Sequence, residues 1–142
     1  MLRTAKLFTL PQTFLRFNGT KATSAAAGLS PELKSRIQEI INHDKVVVFM
    51  KGTPDEPACG FSRNVKLVLE HHQVPFVGVN VLEDAEIREG IKKYSEWPTI
   101  PQVYVNKEFV GGCDILIEMH KGGEITEFFE VRNIKTKYSD SK

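Results

Sequence analysis

The run Val46-Val47-Val48-Phe49 constrains this chain more than any other stretch. Four consecutive apolar residues, three of them β-branched, make a strand with no polar face. Such a strand belongs at the centre of a sheet, with other elements covering both sides. With Met50 the run lies between Lys45 and Lys51 and is the longest apolar stretch in the sequence. It is far short of the ~20 residues of a membrane-spanning helix, so an integral membrane protein is not expected.

The flanking segments supply the covering layers. Ser30-Pro31-Glu32 opens a helix with a cap residue, a proline at the first helical position and an acid near the positive dipole end. Leu33, Ile37, Ile40 and Ile41 then fall on one face. A Gly/Pro-rich loop over 52–57 follows the strand. A second helix places Phe61, Val65, Val68, Leu69 and His72 on one side. Residues 75–81 read as a second strand, 83–95 as a third helix, and 102–105 with 108–110 as a hairpin around Asn106-Lys107. Residues 114–120 and 124–133 read as the last helices, and the polar tail from Lys135 as frayed. The order α-β-α-β-α-β-β-α-α gives an α/β fold: a four-stranded mixed sheet with helices on both faces. A thioredoxin-like arrangement satisfies this order.

Charge divides the chain in two. Residues 1–31 hold Arg3, Lys6, Arg16 and Lys21 and no acid. Residues 32–142 hold the other 15 basic and all 18 acidic residues, a net charge of −3. A domain of that charge does not suggest a nucleic-acid partner. The front piece is basic, acid-free and rich in Ser, Thr and Ala, the composition of an organelle transit peptide. The expected organisation is a mitochondrial or plastid transit peptide and linker over 1–29, a domain over 30–135 and a polar tail over 136–142.

Two cysteines, Cys59 and Cys113, are too few for a disulfide scaffold, and no Cys-x-x-Cys pair suggests structural zinc. Cys59-Gly60-Phe61-Ser62 falls where the loop after the first strand becomes a helix. Free backbone N–H groups and the dipole at a helix start favour a thiolate. Lys51, at the strand end, adds a positive charge. The expected Cys59 pKa therefore lies below the ~8.5 of a free thiol, giving a nucleophile and a soft metal ligand.

Here the sequence resembles a known family. Lys51-Gly52-Thr53-Pro54, Pro57-Ala58-Cys59-Gly60-Phe61-Ser62, the block Trp97-Pro98-Thr99-Ile100-Pro101-Gln102-Val103-Tyr104, and Gly111-Gly112-Cys113-Asp114 are similar to the monothiol glutaredoxins of the CGFS type. The blocks run in order from about Val46 to His120. One domain behind a transit-like segment resembles the mitochondrial single-domain members. The resemblance implies a cis Pro101 that turns Ile100 toward the thiol, ready to pair with a peptide such as glutathione. It implies Lys51, Arg88 and Lys92 around the glycine-end carboxylate of glutathione. Phe61, Thr99, Ile100, Gly112, Cys113 and Asp114 would line the rest. Arg88 and Lys92 also fit a plain solvated helix face.

Ser62 stands where a dithiol oxidoreductase has its second cysteine, and a hydroxyl cannot resolve a mixed disulfide. Three routes remain for Cys59: glutathionylation and release by a second glutathione, resolution by Cys113, or metal ligation. A 2Fe–2S cluster takes four thiolates. The resemblance implies that two chains and two glutathiones supply them, each chain through its Cys59. That makes the homodimer a cluster carrier for apo-proteins in the mitochondrial matrix, served by a scaffold and chaperone system and by BolA-like partners. The other reading is a glutathione-dependent oxidoreductase. Cys113 is not required as a ligand, and a packing role at the rim of the site suits it. His43, His71, His72 and His120 read as cations at helix ends, with no i, i+4 zinc pair among them.

Overall fold

The computed structural model describes residues 29–139. The expected import segment up to residue 28 lies outside the described residues. Helix α1 (Pro31–Asn42) leads into β1 (Val46–Met50), α2 (Gly60–His71), β2 (Val77–Asn80), α3 (Ala85–Ser95), β3 (Gln102–Val105), β4 (Glu108–Gly111), α4 (Cys113–Gly122) and α5 (Ile125–Glu130). The strands lie in the order β2-β1-β3-β4. β1 pairs parallel with β2 and antiparallel with β3, and β3 pairs antiparallel with β4. This is the thioredoxin-like mixed sheet expected from the element order.

The side-chain alternation of β1 explains its composition. Val46, Val48 and Met50 pack into a core with Val65 and Leu69 of α2, Leu116 of α4 and Phe129 of α5. Val47 and Phe49 pack into a second core with Ile37 and Ile41 of α1 and Ile87 and Ile91 of α3. Each face of the strand thus has its own apolar layer, and every residue of it is buried.

Capping interactions set the helix starts. The Ser30 hydroxyl accepts from the Leu33 N–H at 3.1 Å. Helix α3 starts at Ala85, later than the periodicity suggests, because Val81–Glu83 forms a 3-10 turn. Asp84 then caps α3, its Oδ1 accepting from Glu86 N–H and Ile87 N–H at 3.0 and 3.2 Å. Arg36 of α1 binds the same carboxylate at 2.6 Å. The Arg36 hydrogen bond is the main reason the Asp84 pKa sits below the usual carboxylate range.

The sequence expectations need three corrections. Phe61 does not share the inner face of α2: it is 62% exposed. It lies in the first turn of α2, directly after Cys59 and Gly60. Helix α5 ends at Glu130 rather than at residue 133. The segment after Lys135 is docked, not frayed, as far as Ser139. The Lys137 N–H donates to the His72 carbonyl at 2.7 Å, and Thr136 is buried. Backbone pairing and the apolar anchor Ile134 offset the polar composition there.

Phe129 is fully buried in the core beneath β1. Phe129→Ala is expected to cost about 3–5 kcal/mol of stability. Urea denaturation followed by circular dichroism checks this; a loss below 1 kcal/mol, about a third of the low end of that range, would mean that α5 adds little to this core.

Candidate functional site

Cys59 is the N-cap of α2, with extended backbone. Its Sγ accepts from the Ser62 N–H at 3.4 Å, the place usually taken by a Ser or Asp oxygen. The sulfur therefore terminates the helix, and the helix start in turn stabilises negative charge on the sulfur. Ser62 is fully buried. Its Oγ accepts from the Lys51 N–H at 3.0 Å and lies 3.5 Å from Cys59 Sγ. One hydroxyl thus joins the end of β1 to the start of α2 beside the thiol.

Burial pushes the Cys59 thiol up, but the opposing effects are larger together. The Ser62 side chain, the Ser62 and Phe61 amides and the charge of Lys51 bring its pKa below the ordinary thiol value. This agrees with the expectation from sequence. Cys113 moves the opposite way: burial raises its pKa first, and Asp114 and Cys59 raise it further, against a lowering hydrogen bond from Asn64. Cys113 is 6% exposed and packs into the core with Val65 and Leu116.

The loop over 51–58 is closed by its own hydrogen bonds. The Ala58 N–H donates to the Lys51 carbonyl at 2.8 Å, the Thr53 N–H to the Glu56 carbonyl at 3.1 Å, and the Gly52 N–H to Asn80 Oδ1 at 2.9 Å. Gly52 has φ of +92°, and a Cβ there would strike the Glu56 and Ala58 backbone, so glycine is required. Pro54 rests on β2: a Cβ at Gly78 would come within 2.6 Å of its ring. The loop consequently holds Lys51 and Cys59 side by side at its two ends.

Beside the thiol lies a cleft of about 560 Å³. Lys51, Phe61, Lys92, Thr99, Ile100, Pro101, Gly112, Cys113 and Asp114 line it; Cys59 itself is not among the lining residues, though Lys51 and Phe61 beside it are. Arg88, one turn before Lys92, is not among the lining residues, and its Nε lies 3.4 Å from Glu89 Oε2. The Ile100-Pro101 peptide is cis. Gln102, fully buried, anchors the loop before it by donating to the Trp97 and Thr99 carbonyls at 2.9 and 3.1 Å. Gly112 passes close behind: a Cβ there would lie 2.9 Å from the Pro101 carbonyl oxygen. It also starts α4 without a side-chain cap.

Sequence reasoning missed three lining residues, Trp97, Pro98 and Ile115. Trp97 and Pro98 stood in a block already singled out, directly before Thr99. Ile115 carried no signal, because a helix residue facing a cleft looks like any other apolar residue. The buried role of Ser62 was also missed: as a replaced cysteine it looked like a loss, whereas its hydroxyl supports the remaining thiol.

A mixed sheet with a cis-proline loop beside a helix-capping cysteine defines a thiol protein of the thioredoxin-like class. Residues 46–110 match the family model described as Glutaredoxin. A monothiol glutaredoxin of Synechocystis, described as uncharacterized and ycf64-like, is 57% identical over 103 residues, covering 72% of this chain and 96% of that protein. The mitochondrial monothiol glutaredoxin-5 of Saccharomyces cerevisiae is 52% identical over 105 residues, covering 72% of this chain and 70% of its own. Relatives named for a compartment are mitochondrial or chloroplastic. Among solved structures, reduced apo GrxS14 of poplar is similar with a TM-score of 0.64 and 49% identity, covering 72% of this chain and 94% of that one. This chain belongs to the glutaredoxin family, as a monothiol member.

The Ser62 contacts predict a measurable effect on reactivity. In a Cys113→Ser background, the pH profile of iodoacetamide alkylation should have its midpoint below the ordinary thiol value, and Ser62→Ala should move it up. An unmoved midpoint would show that the hydroxyl does not stabilise the Cys59 thiolate.

Proposed function

We propose that this chain is a glutathione-dependent carrier of 2Fe–2S clusters, taking them from an assembly scaffold and passing them to apo-proteins. The observation that carries this reading is the inequality of its two thiols. Cys59 is activated at a helix start beside an open cleft, while Cys113 is buried with a raised pKa. The cluster is cargo, and it takes four thiolates. One chain offers one. Two copies of Cys59 and two glutathione thiolates complete the set, with the cluster bridging a homodimer. Phe61, 62% exposed, and Trp97, 37% exposed, border the cleft and give the second copy an apolar surface.

In this reading glutathione occupies the cleft. Lys51 and Lys92 take its glycine-end carboxylate; Arg88 and Lys92 both stand against Glu89 Oε2, at 3.4 and 3.6 Å, but only Lys92 lines the cleft. Ile100, turned by the cis Pro101, pairs with the peptide backbone. Thr99, Gly112 and Cys113 shape the wall, and Asp114 accepts from the ammonium group. Thiolates borrowed from a diffusible peptide make the cluster easy to release, which suits a carrier. By family resemblance, a scaffold and chaperone system and BolA-like proteins are its protein partners. The basic, acid-free segment over 1–29 and the mitochondrial relatives support import into the mitochondrial matrix.

The lowered Cys59 pKa also favours a second reading, deglutathionylation. The Cys59 thiolate would attack the glutathione sulfur of a mixed disulfide and release the protein thiolate. A second glutathione thiolate would then attack glutathionylated Cys59, giving glutathione disulfide and regenerating the Cys59 thiolate.

Anaerobic reconstitution with iron, sulfide and glutathione, followed by visible spectroscopy and mass measurement, separates the readings. A carrier gives sulfur-to-iron charge-transfer bands on a dimer; a colourless monomer would sink that reading. Cys59→Ser should abolish the bands and Cys113→Ser should leave most of them. Lys92→Ala should weaken glutathione binding more than Arg88→Ala does, as measured by calorimetry.

A further inference from the structure

Three of the four histidines of this chain do not stand apart at helix ends. His71 and His72 end α2, His120 lies in the last turn of α4, and the packing of the two helices brings all three together. Their rings meet edge-on, with centroids 4.9 to 5.2 Å apart. One nitrogen from each lies within 4.8 Å of one from each of the others. His72 Nε2 and His120 Nδ1 are 3.0 Å apart. Tyr138, in the docked tail, places its Oη 3.1 Å from His71 Nε2. The cluster lies at the opposite end of α2 from Cys59, about 18 Å along the helix.

We propose that His71, His72 and His120 form a second metal site, for a borderline divalent cation of the zinc(II) class. Imidazole nitrogens suit zinc, copper and nickel, and three such ligands leave the fourth tetrahedral position to a water. Zinc–nitrogen bonds of about 2.0–2.1 Å place ligand nitrogens about 3.4 Å apart. The pair at 3.0 Å is already within reach of one ion. His71 is exposed and can turn to close the longer gap. His72 is 5% exposed and offers Nε2 to the ion from inside the protein, while its Nδ1, at the other corner of the ring, has no hydrogen-bond partner among the described residues. Burial, and then the neighbouring His71, His120 and Lys137, also hold its pKa below the ordinary histidine value, which favours the neutral form a metal requires. Lys137 opposes a cation here, but its Nζ is drawn over the Tyr138 ring, 5.4 Å from the centroid. The bound ion would cross-link the C-terminal ends of α2 and α4.

The test uses the full chain with Cys59→Ser, stripped with chelator and free of glutathione, so that neither thiolate chemistry nor failure of the carrier reading affects the result. Zinc(II) titration by calorimetry should give one ion per chain, a rise in thermal midpoint, and shifted ring signals for His71, His72 and His120 but not His43 by nuclear magnetic resonance. Loss of a supporting partner at a metal site costs about 10–100-fold in affinity, and loss of a ligand should cost at least as much. His71→Ala changes an exposed residue, so the fold should survive; His120→Ala gives a second, independent loss. Zinc binding that persists in the double variant, or no one-to-one binding in the parent, would overturn the site.

Discussion

The fold and the chemistry of this chain meet in one contact, the hydrogen bond from the Ser62 N–H to Cys59 Sγ. An N-cap residue satisfies backbone donors that the helix leaves free. Here the capping atom is also the reacting atom, so the same geometry that starts α2 favours the charged form of the thiol. The contact depends on the closed loop over 51–58 to deliver Cys59, and that loop depends on Gly52, Pro54 and Asn80 for its shape. Its far end is β1, whose fully apolar composition fixes it at the centre of the sheet. A central strand with a core on each face cannot shift without exposing one of them. The thiol is therefore held by a strand buried at every position, through a loop with little freedom.

The same logic explains Ser62. Replacing the second cysteine of a dithiol pair removes one reaction, the internal resolution of a mixed disulfide. It also provides a buried hydroxyl that can accept from the Lys51 amide and donate to a thiolate. The substitution favours a persistent thiolate over a rapidly cycling one. Cys113 is in a different position, with its thiol pKa raised by burial. It lies in the apolar core below the cleft, where charge is unfavourable.

Much of this was legible in the sequence, for reasons that can be stated residue by residue. The Val46–Met50 run, the caps at Ser30 and Cys59, and the punctuation by Gly52, Pro54 and Gly111 are local signals, and local signals give element order and the placement of the thiol. What was not legible depended on packing between distant segments. His71-His72 and His120 are 48 or more residues apart, and each alone looked like a cation at a helix end. The docking of residues 136–139 is invisible to composition, because it rests on a backbone bond to the His72 carbonyl. Phe61 followed the α2 periodicity yet faces outward from the helix's first turn.

That outward position bears on how the site is used. A chain with one activated thiolate gains nothing from a sealed active site if the remaining ligands must come from outside. It needs an open cleft for a small thiol and an accessible rim for another protein surface. Exposed aromatic side chains at a rim are costly in a monomer but serve well as contact area, since they bury much surface while losing few rotamers. Phe61 and Trp97 line the same cleft as the lysines that, in this reading, would hold a peptide carboxylate. In the proposed carrier reading, the shortage of ligands at a single-thiol site and the exposed phenylalanine beside it have one physical explanation: both would belong to a site completed by a second molecule.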